Sequence, residues 1–235
     1  MNKLTTPRTV NSHFLFEDEI TYVKDVIFSN KDKWFNIENT GLIRSGSHTN
    51  GVNPSEHFAH FFGPSLYSMS SPGYLPKYRQ LAREYNIVLN EKFERFYARL
   101  KINIETQLGV ECVFKDNTSL PGFHIFGSGV DGKVVEYNYF YTHNDSFPAI
   151  GLDMGGSGEV YSFIIPIQVP KSGAKLEYFI NSKLQSYDYS LGELSCWSGT
   201  LPHRIGYFNL DGADDYRITW QLHVAVQNNK GYIFW

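Results

Sequence analysis

Three separated residues of the sequence have side chains that could together bind a metal ion. The segment YTHNDSFP, residues 141–148, places His143 two positions before Asp145, and side chains two apart on an extended chain project to the same face. With 8 His and 24 acidic residues in 235, roughly one such pair is expected by chance, so alone it indicates a polar turn. His203, in WSGTLPHRIGYF, follows a turn at the start of a predicted strand. From there it completes a set of two imidazoles and one carboxylate.

A second feature is an arginine on a long apolar strand near the end of the chain. In DDYRITWQLHVAV, Arg217 is followed two residues later by Thr219, which shares its face of the strand. A guanidinium inside a β-rich interior is costly unless it meets an anion, so the pair predicts a carboxylate receptor. Arg204 is the competing arginine, but it is adjacent to His203 and should face the opposite side. A rim salt bridge for Arg217 and a plain strand role for Thr219 remain open.

The order of these motifs, present here as HND, PHR and RIT, resembles that of the 2-oxoglutarate-dependent Fe(II) oxygenases over residues 110–228. The resemblance implies a double-stranded β-helix, or jelly roll, with Fe(II) held by His143, Asp145 and His203. It further implies 2-oxoglutarate and O2 as cosubstrates, with the far carboxylate of 2-oxoglutarate on Arg217 and Thr219. The implied reaction decarboxylates 2-oxoglutarate to succinate and hydroxylates a C–H bond of a second substrate.

Four more residues are candidates for the pocket around this site. Tyr139 and Tyr141 are separated from His143 by an even number of residues, so on an extended chain their side chains face the same side as His143. One of them could help to bind 2-oxoglutarate, although a role as core aromatic residues is an equal alternative. His124 lies on an early predicted strand, either as a hydrogen-bonded core histidine or as a contact to cosubstrate or substrate. Arg44 belongs to a segment, 44–74, that we expect to form the entrance and to bind a small polar organic substrate.

A separate zinc site is a weaker possibility in the segment SHTNGVNPSEHFAHFF. It contains three histidines without a cysteine partner, and their spacing matches no closed site. These histidines are His48, His57 and His60.

The hydrophobic pattern predicts a single domain over residues 1–235 with two parts. Residues 1–109 are predicted to be helical and irregular: a short helix over 17–30, an irregular stretch over 36–74, and a long helix after Pro76 that Gly109 ends. Residues 110–235 contain short apolar runs separated by turns, which predict a mainly β sandwich or barrel core. Pro166 within one of these runs requires a strand edge, a bulge or a strand end.

Composition excludes several classes of partner. The net charge of −3 and a charged fraction of 19% do not favour binding to nucleic acid. No stretch approaches the roughly 18 apolar residues of a membrane span, and the N-terminus has no apolar signal region. Cys112 and Cys196 show no disulfide framework. We therefore expect a soluble cytoplasmic enzyme with a small-molecule substrate, of undetermined oligomeric state; a non-redox metal-binding jelly roll and a protein-modifying oxygenase are the alternatives.

Overall fold

The computed structural model describes residues 4–36, 58–66, 75–127, 134–137, 142–145 and 159–235. Over these ranges the chain is mostly β, with two α-helices before the main run of strands. The predicted class, mainly β with N-terminal helices, is confirmed. Neither helix in the described ranges is long and apolar enough to cross a membrane.

The helices are α1 (Glu17–Ser29) and α2 (Leu75–Leu108), and a single 3-10 turn, Lys31–Lys33, follows α1. Three acidic residues occupy the first turn of α1, where they favour the positive end of the helix dipole. Gly109 follows α2 with a φ of +67°, the left-handed conformation that commonly ends a helix. Both helices match the predicted spans closely because their buried side chains recur at helical spacing. In α2 the buried residues are Tyr78, Ala82, Leu89, Phe93, Phe96, Tyr97, Leu100, Ile104 and Leu108.

The strands are β1 (Arg8–Asn11), β2 (Phe35–Asn36), β3 (Phe58–Phe62), β4 (Glu111–Phe114), β5 (Gly122–Gly127), β6 (Val134–Tyr137), β7 (Glu159–Gln168), β8 (Ser172–Gly173), β9 (Leu176–Ile180), β10 (Lys183–Tyr187), β11 (Leu194–Ser198), β12 (His203–Ile205), β13 (Phe208–Asp211), β14 (Tyr216–Gln227) and β15 (Lys230–Phe234).

These strands form two layers with an interleaved order. The larger sheet runs β1-β11-β7-β14-β5-β3-β2, with β15 beside β14 and β4 beside β15. The smaller layer consists of β10-β9-β12 and β6-β13-β8. From β5 to β14 the chain passes back and forth between the two layers, and the pairs among these strands are antiparallel, whereas β15 and β4 pair in parallel. This alternation is the winding of a double-stranded β-helix, as the motifs implied.

Strands from the N-terminal part extend both edges of the larger sheet. β1 pairs with β11 at one edge, and β3 pairs with β5 at the other. The sequence analysis predicted only helices and irregular chain before residue 109, and β3 lies inside the stretch predicted to be irregular. Its segment FAHFF has no clear alternation of apolar and polar residues, so its strand state depends on pairing with β5 rather than on local pattern.

Pro166 lies in the central strand β7, at a break in the strand register. It is opposite Thr219, and the register of β14 shifts between Ile218 and Thr219. The carbonyl of Pro166 accepts a hydrogen bond from Gly192 N at 2.9 Å. The proline is therefore accommodated by a bulge, one of the three placements that its ring required.

An aromatic core joins α2 to the outer face of the larger sheet. The ring centroids of Phe93 and Trp220 are 5.3 Å apart, and those of Phe123 and Trp220 are 5.0 Å apart. Trp220 is fully buried. Because side chains alternate along β14, the opposite face carries Arg217 and Thr219 into the space between the two layers.

Replacing Phe93 with alanine should lower the free energy of unfolding by about 3–5 kcal/mol, because it removes a buried ring from this core. Urea unfolding followed by tryptophan fluorescence measures the change. Ile102→Ala on the same helix is the control, since Ile102 is 62% exposed, and it should change stability by less than about 1 kcal/mol. Equal effects of the two substitutions would contradict the proposed packing of α2 on the sheet.

Candidate metal centre

The backbone brings His143 and His203 side by side. His143 N donates to His203 O at 2.9 Å, and His203 N donates to His143 O at 3.0 Å, forming an isolated antiparallel bridge. His203 is the first residue of β12, so the bridge attaches the segment around His143 to the smaller layer. The imidazole centroids are consequently 4.5 Å apart.

Asp145 is fixed by a second backbone contact, which depends on a glycine. Asp145 N donates to Gly199 O at 2.8 Å, and Gly199 N donates to Val160 O at 2.7 Å. A Cβ on Gly199 would lie 3.0 Å from Val160 Cγ1 and 3.1 Å from both Cβ and O of Asp145. A methyl group at this position would therefore require Val160 or Asp145 to move by a few tenths of an ångström.

The three predicted ligands converge at one point. One ligand atom from each of His143, Asp145 and His203 can be chosen so that all lie within 4.8 Å of one another, which in the described ranges occurs for this group alone. Asp145 Oδ1 lies 3.8 Å from His143 Nε2, and Asp145 Oδ2 lies 3.6 Å from His203 Nε2. Asp145 and His203 are buried, whereas the His143 side chain is 30% exposed.

The protonation states suit metal binding. Burial lowers the pKa of His203, which favours its neutral form. Its Nδ1 lies 2.8 Å from Leu201 O, so Nδ1 carries the proton and Nε2 is left as a lone-pair ligand. Burial would raise the pKa of Asp145, but three nearby imidazoles and a hydrogen bond from Ser162 outweigh it, so the pKa is lowered and the carboxylate is ionised.

This donor set fits Fe(II). Two imidazoles and one carboxylate on one side of an ion form the facial arrangement of non-haem iron sites, with the remaining positions free for other ligands. A closed structural zinc site would instead supply four protein ligands. The three residues could therefore hold a catalytic metal ion with exchangeable positions.

Arg217 is buried inside the barrel with unused hydrogen-bonding capacity. It is 1% exposed, and neither its Nε nor its Nη2 has a hydrogen-bond partner among the described residues. Its Nη1 donates to Thr219 Oγ1 at 3.3 Å, and the guanidinium carbon lies 5.8 Å from the ring centroid of Tyr189. Burial lowers the pKa of Arg217, but a guanidinium stays protonated under ordinary conditions. A buried cation with two idle donors is suited to bind an anion.

Arg204 occupies a different environment. Its Nε donates to Glu177 Oε2 at 2.6 Å, and its side chain is 30% exposed. The guanidinium also lies over the ring of Phe179. Arg204 is thus already paired with a carboxylate, whereas Arg217 has no carboxylate partner among the described residues.

His124 also faces the interior of the barrel. It differs from a core histidine whose ring nitrogens are hydrogen-bonded. It is opposite Thr219 in the pairing of β5 with β14. Both ring nitrogens are buried without a hydrogen-bond partner within the described part of the chain, and burial lowers the pKa of the ring well below its usual value. Its ring contacts Phe61 and Trp235 at centroid distances of 4.4 and 4.9 Å.

No contact in the described part of the chain places the remaining candidate residues at the site. Tyr139, Tyr141 and Arg44 lie outside the described residues, as do His48 and His57. His60 lies on β3, with its ring 5.6 Å from that of Trp34.

Three residues near the site were not singled out from the sequence: Ser162, His223 and Tyr189. Ser162 Oγ donates to Asp145 Oδ2, and His223 Nδ1 lies 3.7 Å from the same oxygen. His223 lies on the same strand as Arg217, an even number of residues away. Because side chains alternate along a strand, the sequence could have predicted that His223 faces the same side as Arg217. Ser162 and Tyr189 carried no comparable signal. Burial lowers the pKa of His223 to about 4, so its ring is neutral.

Comparison with known proteins gives structural similarity only. No protein-family model matches the chain, and no curated protein matches its sequence. An N-substituted L-amino acid dioxygenase from Burkholderia ambifaria, solved with α-ketoglutarate, is 10% identical with a TM-score of 0.47, over 73% of this chain and 76% of that one. A 2OG-Fe(II) oxygenase family oxidoreductase from Burkholderia pseudomallei is 10% identical with a TM-score of 0.44, over 94% and 83%.

A prolyl-4-hydroxylase from Pseudomonas putida is 13% identical with a TM-score of 0.37, over 92% of this chain and 89% of that one. These identities and TM-scores are too low to carry an argument about activity. The function proposed below therefore rests on the residues of the site.

Gly199→Ala should weaken metal binding on the order of tenfold, because the added methyl group displaces Asp145 relative to the two histidines. Calorimetric titration of the metal-free protein with Mn²⁺ measures the dissociation constant. Thr200→Ala is the control, since Thr200 is the exposed neighbouring residue. Unchanged affinity in Gly199→Ala would show that the close approach of Gly199 to Asp145 does not set the ligand geometry.

Proposed function

We propose that the chain is a non-haem Fe(II) and 2-oxoglutarate-dependent oxygenase that hydroxylates a small polar organic molecule. The observation that carries this proposal is a pair of sites in one barrel interior. One is a three-ligand metal set, and the other is a buried arginine whose Nε and Nη2 lack partners in the described structure. A metal-binding protein without redox chemistry needs the first site but has no use for the second.

The residues of the proposed site form two groups, one for the metal ion and one for the cosubstrate. His143, Asp145 and His203 would hold Fe(II), and the bound ion with 2-oxoglutarate and O2 would supply decarboxylation to succinate coupled to C–H hydroxylation. Arg217 would bind the far carboxylate of 2-oxoglutarate through Nε and Nη2, since both are idle and the guanidinium fork matches a carboxylate. The Thr219 hydroxyl, already 3.3 Å from Arg217 Nη1, would complete this anion site.

Thr219 is held in place by its neighbour on the same face. Gln221 Nε2 donates to Thr219 Oγ1 at 2.7 Å, and Arg217 Nη1 donates to the same oxygen. With two donors on Oγ1, the hydroxyl proton of Thr219 is left to point elsewhere. It is therefore available to donate to a carboxylate oxygen of the cosubstrate.

The choice of substrate class rests on the interior of the barrel. His124 presents buried ring nitrogens that lack described partners, beside the aromatic rings of Phe61 and Trp235. An apolar wall with few polar groups suits a small organic molecule better than an extended chain. The buried free thiols of Cys112 and Cys196 accord with a reducing compartment, so the proposed location is the cytoplasm.

The test of the activity is succinate formation from 2-oxoglutarate in air, with Fe(II) and a panel of amino acids and related metabolites. We expect formation to require Fe(II), to rise with a suitable substrate, and to be lost in His203→Ala, which removes one of three ligands. Mass spectrometry measures succinate and a product heavier by one oxygen atom. Metal binding without consumption of 2-oxoglutarate would favour the non-redox alternative, and a response to peptides only would favour a protein-modifying enzyme.

Arg217→Gln should raise the KM for 2-oxoglutarate by at least about tenfold, because a bidentate charge-assisted contact to a buried carboxylate is removed. Arg204→Gln is the matched control; loss of its partly exposed ion pair with Glu177 should change that KM by less than about twofold. Steady-state succinate formation over a range of 2-oxoglutarate concentrations gives both values. A larger effect at Arg204 would show that the cosubstrate binds to the other arginine.

A further inference from the structure

The carboxylate of Asp145 is held by a short chain of buried hydrogen bonds that lies behind the metal ligands. Ser162 Oγ donates to Asp145 Oδ2. The same Ser162 Oγ lies 3.2 Å from His223 Nδ1. All three side chains are buried.

Ser162 and His223 lie on two paired central strands of the larger sheet. Ser162 on β7 and His223 on β14 are directly opposite each other in the strand register. The His223 ring is stacked on Trp235, with centroids 6.1 Å apart and planes 13° apart, and also lies 5.7 Å from the ring of Phe234. Paired central strands and stacked rings fix the position of both donors.

The direction of the hydrogen bonds follows from counting protons. A serine hydroxyl has one proton, and here it is donated to the ionised carboxylate of Asp145. Ser162 Oγ can then only accept from His223, so His223 must carry its proton on Nδ1. The donors therefore run from His223 to Ser162 to Asp145, and each polarises the next.

We propose that Ser162 and His223 are positioning residues of the metal centre, which hold Asp145 by Oδ2 so that Oδ1 is presented to the ion. This inference rests on the proposed function, since it assigns Asp145 as a metal ligand. Without the Ser162 hydrogen bond the carboxylate can rotate about its terminal bond and present either oxygen. Residues that orient a metal ligand in this way commonly contribute 10–100-fold to metal affinity.

The experiment measures Mn²⁺ binding to the metal-free protein by the electron paramagnetic resonance signal of free Mn²⁺. Ser162→Ala removes the donor to Asp145, and His223→Phe removes the second donor but keeps a ring against Trp235. We expect Ser162→Ala to raise the dissociation constant on the order of 10–100-fold and His223→Phe to raise it several-fold. His223→Asn places an amide N–H near the position of Nδ1 and should restore most of the affinity.

Ser195→Ala is the matched control for loss of a buried serine. Ser195 lies on the adjacent strand β11, is 1% exposed, and donates to Glu193 rather than to Asp145. It should leave Mn²⁺ affinity unchanged. Thermal unfolding of each metal-free variant reports on a purely structural role, which would lower the melting temperature of Ser162→Ala without altering its Mn²⁺ affinity.

Wild-type Mn²⁺ affinity in Ser162→Ala, or an equal loss in Ser195→Ala, would overturn the inference. So would equal effects of His223→Asn and His223→Phe. The His203→Ala variant distinguishes a failure of the positioning role from a failure of the proposed function. If His203→Ala abolishes Mn²⁺ binding while Ser162→Ala does not affect it, the metal site stands and only the positioning role fails; if His203→Ala binds Mn²⁺ normally, the site itself is wrong.

Discussion

The pair of backbone hydrogen bonds between His143 and His203 is the interaction on which the site depends. Two residues sixty positions apart become neighbours because each donates to the carbonyl of the other. Asp145 is then attached two residues further along, through Gly199 and from there to Val160 on β7. The convergence of the three side chains is thus set by backbone contacts.

The second constraint is the free-energy cost of burying charged groups, which applies near both ends of β14. Near one end Arg217 is buried with a hydrogen bond to Thr219, while near the other His223 and Ser162 approach the carboxylate of Asp145. Removing a charge from water is costly unless it is paired or hydrogen-bonded. Asp145 is satisfied in this way within the chain, whereas Nε and Nη2 of Arg217 have no hydrogen-bond partner among the described residues.

The helices and the convergence of the three candidate metal ligands could be predicted from the sequence, each for an identifiable reason. The 3.6-residue period of α2 is a local signal, and the H-x-D pair with a distant histidine has few chemical interpretations once an arginine follows. Strand β3 could not be predicted in the same way, because its pairing with β5 is a long-range contact without an alternating pattern. Ser162 gave no signal either, since a serine inside an apolar run is usually only a packed strand residue.

Strand β14 carries two sets of side chains with separate partners. Residues Ile218, Trp220, Leu222 and Val224 are buried in the hydrophobic core, while Arg217, Thr219, Gln221 and His223 face the barrel interior. Adjacent positions therefore contribute to different free energies, one set to folding and the other to ligand binding. Substitutions in one row that leave the backbone of β14 in place therefore act mainly on one of these two free energies. The interior row can accordingly be exchanged for another chemistry while the aromatic core on the reverse side of the same strand keeps its stability.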